Sequence, residues 1–63
     1  MTNNMQHLWV SAKTPPEREG KYYVLTERPV PHMERASFIF DMWVNNDNVV
    51  ITITAYDKNR IEE

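Results

Sequence analysis

The sequence predicts a mainly β protein: a small four-stranded antiparallel meander with a long C-terminal hairpin and at most one short helical turn. Three observations lead there. Residues 36–44 and 49–56 alternate apolar and polar side chains with a period of two, as half-buried strands do. Residues 21–27, Lys-Tyr-Tyr-Val-Leu-Thr-Glu, concentrate aromatic and β-branched types. The four prolines and the single glycine fall between these runs, where they act as breaks.

In chain order, residues 1–6 are polar and expected to fray. Residues 8–12 read as a short first strand, with Trp9 and Ser11 on one face and Leu8, Val10 and Ala12 on the other. Residues 13–20 form a turn or loop, because Pro15-Pro16 cannot sit in a central strand and holds Thr14 extended. One helical turn over 16–19 is compatible with Thr14 as N-cap and Gly20 as its stop. A chain that uses glycine once is expected to need positive φ at Gly20. Strand two, 21–27, follows through a compact loop and is expected to run antiparallel to strand one. Residues 28–34, with Pro29 and Pro31, read as an extended connector.

The hairpin then spans 36–56, with its turn centred on Asn46-Asp47. That register pairs Val44 with Val49, Met42 with Ile51, Phe40 with Ile53 and Phe38 with Ala55. It puts all eight in one apolar layer. A slip of one residue would send one set to the other face. The opposite face carries Ser37, Ile39, Asp41 and Trp43 against Tyr56, Thr54, Thr52 and Val50. Trp43 is either packed under another segment or an anchor for a partner. The charged tail, 58–63, is expected to be loose.

Sixty-three residues make one domain, with little surface to bury and no cysteine to staple it. Stability must come from a dense aromatic core or from self-association, so a monomer or a weak homodimer paired through a sheet edge or face is expected. No apolar run approaches the ~18–20 residues of a membrane span. Residues 1–7 lack the basic and apolar regions of a signal peptide. The expected location is the cytoplasm.

The net charge is −2, which argues against direct nucleic-acid binding by phosphate neutralisation. Its distribution is uneven. Residues 1–35 hold five Lys/Arg and four Asp/Glu, giving +1; residues 36–63 hold two and five, giving −3. No cation lies between Arg35 and Lys58, whereas Asp41, Asp47 and Asp57 do. These aspartates either solubilise a strand pair or meet a basic groove on a partner. His7 and His32 have no partner at metal-ligand spacing, so neither metal nor cofactor is expected. Ser11 and Ser37 lack a nucleophile elbow, and one glycine cannot build a phosphate-cradling loop. No enzymatic activity is expected. Tyr22 and Tyr23 put one ring on each face of strand two, one for the core and one available as an interface anchor.

The segment Trp9-Val10-Ser11, followed by Pro15-Pro16-Glu17, Gly20 and Tyr22-Tyr23-Val24, resembles the opening of a group of short phage and prophage proteins of unknown function. Ile53-Thr54-Ala55-Tyr56 stands where those proteins carry their closing strand. The family then continues Met-Pro-Leu-Pro, whereas this chain runs Asp57-Lys58-Asn59-Arg60. The resemblance implies a mobile-element origin and no known catalytic residues. Among small acidic phage proteins it points to host-takeover factors of the anti-CRISPR type. The implied function is a non-enzymatic inhibitor that binds a host protein or protein–RNA effector complex through a mildly acidic surface and blocks its nucleic-acid binding. Asp41, Asp47 and Asp57 would meet the basic path, with Trp43 or Tyr22 as the aromatic anchor. The alternative is a small structural or accessory phage protein that homodimerises.

Overall fold

The structure, a computed structural model, describes residues 7–61. It is mainly β, with no helix among the described residues. Six strands form one antiparallel sheet: β1 (Trp9–Ser11), β2 (Gly20–Thr26), β3 (His32–Ile39), β4 (Met42–Asn45), β5 (Val50–Ile51) and β6 (Ala55–Asp57). Their spatial order is β1-β6-β2-β3-β4-β5.

The order differs from a four-stranded meander in two ways. The expected first arm, 36–44, is two strands. Ile39 pairs with Met42, so Phe40-Asp41 is a two-residue hairpin turn with φ of 50° and 61°. Positive φ at both central residues is the geometry that matches strand twist, and it is usually built from Asn and Gly. The expected second arm, 49–56, also splits. β5 stays beside β4, while 52–54 crosses over and β6 inserts between β1 and β2. β1 and β2 therefore do not pair with each other.

The register moves as well. Trp43 pairs with Ile51 and Val44 with Val50, one residue from the expected pairing. Asn45 sets this register: its Oδ1 accepts the N–H of Asp47 and of Val49, and Asn48 takes the positive φ of 65°. The turn at Phe40-Asp41 exchanges the faces of β4, and the slip keeps Ile51 of β5 on the core side. Trp43 and Phe38 become cross-strand neighbours in the core, whereas Phe40, Met42 and Val49 are exposed. The single layer expected of those side chains is thereby divided between two faces.

The core consists of Tyr22, Val24, Ala36, Phe38, Trp43, Ile53 and Tyr56, with Val10, Ala12 and Ile51 packed against it. β4 and β6 are separated by two strands, yet the rings of Trp43 and Tyr56 are 5.5 Å apart between centroids. Strands lie ~4.8 Å apart in a sheet, so the sheet must curl to bring them together. The crossing segment closes the curl. Ile53 drops into the core, the N–H and hydroxyl of Thr54 both donate to the Leu25 carbonyl, and Ala12 N–H donates to the Thr54 carbonyl.

The expected loose tail is tied down as far as it is described. Lys58 N–H donates to the Leu8 carbonyl and Ile61 N–H to that of Lys21. Residues 1–6 and 62–63, also expected to be loose, lie outside the described residues. Arg60 lies directly on Gly20. A Cβ at that position would fall 2.3 Å from Arg60 Cδ and 2.9 Å from its Cγ, and Gly20 has φ of +150°. Both facts require glycine. Gly20→Ala is expected to cost ~1–3 kcal/mol, through backbone strain and displacement of Arg60. A thermal melt checks this, and an unchanged midpoint would mean that the strand shifts freely.

Candidate functional site

The five residues singled out from the sequence do not form one surface. Tyr22 and Trp43 are core residues, 3% and 9% exposed, with ring centroids 5.7 Å apart in an edge-to-face contact. Asp57 is 6% exposed. Only Asp41 and Asp47 reach solvent, from the turns at opposite ends of β4. The exchange of faces explains Trp43, and the insertion of β6 explains Asp57, which becomes part of a central strand.

The turn between β3 and β4 shows what alternation could not. Phe40 is 80% exposed, although it had been placed in the apolar layer. A bulky residue at φ of 50° is sterically disfavoured. Its N–H is held by Glu19 Oε2 at 2.9 Å, across from the end of the proline loop. Asp41 follows it, also at positive φ. On the outer face behind the tip, Met42 and Val50 are exposed. They continue an apolar strip along β4 and β5.

Asp57 belongs to a second cluster, on the outer face. It is the cross-strand partner of Trp9, and His7 lies over both. His7 Nδ1 is 2.6 Å from Asp57 Oδ2, and the imidazole is 5.1 Å from the Trp9 ring and 5.0 Å from that of Tyr23. Burial alone would raise the Asp57 pKa. The N–H groups of Asn59 and Leu8 and the His7 ring outweigh it and hold the carboxyl below its usual 3.8. No side-chain hydroxyl among the described residues is hydrogen-bonded to His7. The pair clamps the segment before β1 to the sheet. A depressed folded-state pKa adds stability that is complete above the unfolded value and is lost as pH falls through the folded one. Acid unfolding followed by tryptophan fluorescence should thus be shallower in Asp57→Asn, with the difference confined to pH below about 4.

The third cluster looks like a hydroxyl–imidazole–carboxylate series. Thr26 Oγ1 lies 3.3 Å from the His32 ring, and His32 Nε2 lies 2.9 Å from Glu34 Oε2. The other ring nitrogen, Nδ1, lies 2.6 Å from the Val30 carbonyl. A carbonyl and an ionised carboxylate can only accept, so the imidazolium is the form of the ring that satisfies both contacts. The Val30 carbonyl first, and Glu34 second, raise its pKa above the usual 6.5. A ring held in this form cannot take a proton from Thr26. Here too the chemistry is that of a staple, joining β2 to β3 beside the loop that connects them.

Neither cluster gathers three potential metal ligands, and no such group occurs among the described residues. No described helix is long and apolar enough to cross a membrane. Comparison with protein-family models, with curated proteins and with solved structures found no match to this chain.

Proposed function

We propose that the protein is a non-enzymatic binding module that engages a protein partner through the tip of the β3–β4 hairpin. The observation that carries this reading is Phe40: a large aromatic, 80% exposed, held at positive φ on a rigid two-residue turn. Conformational strain on an exposed bulky residue is the kind of local cost that marks functional sites. An aromatic that needs no ordering on binding is an efficient interface anchor. Asp41, next to Phe40 in the turn, gives the tip an acidic charge suited to a basic partner, whereas Asp47 stands at the other end of β4.

The target class comes from the resemblance of the Trp9-to-Val24 stretch to phage proteins. On that basis the partner is a host CRISPR effector complex, and the chain acts as a stoichiometric inhibitor that blocks its nucleic-acid path. The test is co-elution of the chain with purified CRISPR effector complexes, with and without bound DNA. A stable complex that lowers DNA capture is the expected result. The variant Asp41→Lys should weaken association about tenfold or more if the acidic tip faces a basic path. Absence of any complex would remove the target class, and indifference to charge reversal would remove the mechanism.

The exposed strip of Met42 and Val50 on β4 and β5 favours a second reading, in which two copies pair through this part of the sheet. Sedimentation at micromolar concentration separates the two, since a clean monomer eliminates the dimer.

A further inference from the structure

A groove of about 790 Å³ runs between the proline loop and the segment after β6. That volume falls within the ~300–1,000 Å³ of ligand clefts. One wall is Pro15-Pro16-Glu17-Arg18 and the other is Lys58-Asn59-Arg60, with Tyr22 and Tyr56 in the floor. The walls are fixed before any ligand arrives. Tyr22 O–H donates to the Arg18 carbonyl and Tyr56 O–H to the Thr14 carbonyl, both at 2.7 Å. Arg60 is seated on Gly20, with Nη1 3.3 Å from the Glu19 carbonyl.

The charge of the lining is opposite to that of the chain. Among the lining residues Arg18, Lys58 and Arg60 are positive and Glu17 is negative, in a chain of net −2; Arg18 and Lys58 stand on opposite walls. Glu19 is not part of the lining: its carboxylate lies at the hairpin tip, where it accepts the N–H of Phe40. Among the described residues Arg18 and Lys58 form no ion pair. Arg18 and Arg60 both lie close enough to the Tyr22 hydroxyl to act on its charge.

We infer that this groove binds an acidic peptide segment in extended conformation, with its carboxylates set against Arg18, Lys58 and Arg60. Charge complementarity selects an anion. The floor selects against nucleic acid: Tyr22 and Tyr56 are 3% and 4% exposed, so neither offers a ring face on which a base could stack. Cations on both walls suit an extended chain, whose alternate side chains project the same way about every two residues. This site is independent of the Phe40 tip and does not rest on the reading given to it.

The probe is a fluorescein-labelled peptide of alternating glutamate and alanine, followed by anisotropy. An alternating lysine–alanine peptide and an oligo-dT of equal length serve as comparisons. The acidic peptide should bind, and added salt should weaken it. The double variant Arg18→Ala, Lys58→Ala should lose about fivefold to tenfold in affinity, and Glu17→Gln should gain about twofold. These three side chains are exposed, so unchanged thermal melts should accompany both variants. Arg60 is left in place because it packs on Gly20. No binding of the acidic peptide, or equal binding of the basic one, overturns the inference. Tighter binding of oligo-dT assigns the groove to nucleic acid and also overturns it. Self-association abolished by the same double variant would assign it to a second copy, with the same consequence.

Discussion

Trp43→Ala is expected to remove about half or more of the stability of the fold. Trp43 is the point where the curled sheet meets itself. Its ring lies 5.0 Å from Phe38, 5.5 Å from Tyr56 and 5.7 Å from Tyr22. Those contacts join β4 to β3, to β6 and to β2, so one truncation loosens three strands. Truncating a buried aromatic costs ~3–5 kcal/mol. At ~0.05–0.15 kcal/mol per residue, a 63-residue domain has only about 3–9 kcal/mol in total. Trp43→Phe keeps a ring in the site and should lose under half as much. Urea titrations followed by circular dichroism measure both. A loss below about 1 kcal/mol for the alanine variant would mean that the sheet is closed by something other than this aromatic cluster.

Phe40→Asn is expected to separate stability from binding. Asparagine tolerates the left-handed conformation that phenylalanine resists, a difference worth up to ~1–2 kcal/mol at such a position. The side chain removed is 80% exposed, so little packing is lost with it. The variant should be as stable as the parent or slightly more so. Its affinity for the partner should fall by about 2 kcal/mol or more, some thirtyfold, if Phe40 is the anchor. A variant that melts earlier would make Phe40 a structural residue. A variant that binds normally would move the interface elsewhere.

The sequence was most legible where strands announce themselves locally. Residues 8–12 and 21–27 hold β1 and β2 because their composition and the prolines between them leave little choice. Positive φ at Gly20 was also foreseeable, although the Arg60 side chain packed against it, forty residues later, was not. The long hairpin misled because Phe40, at the first central position, is not a residue that a positive-φ turn prefers, and no glycine accompanies it. The turn is held instead by Glu19, which is remote in sequence. That turn exchanged the two faces of β4, both of which carry apolar side chains, and the β4–β5 pairing shifted by one residue with it. With Met42 and Val44 on one side and Trp43 and Ile51 on the other, alternation could not say which faced inward. The same error hid Phe40 and promoted Trp43. The one local hint was Asp41, a residue that tolerates left-handed backbone, at the point where the turn falls. The crossing of 52–54 had no local sign, since 53–56 alternates equally well whichever strand it joins.

The insertion of β6 between β1 and β2 has a consequence for the life of the chain. Tyr56 is the cross-strand neighbour of both Val10 and Val24. Until residues 55–57 leave the ribosome, β1 has no strand to join and the nascent sheet remains open along β2. Folding must therefore wait for these late residues, and its rate is set by closing contacts between distant parts of the chain. Such sequence-distant contacts slow folding relative to a sheet built from neighbouring hairpins alone.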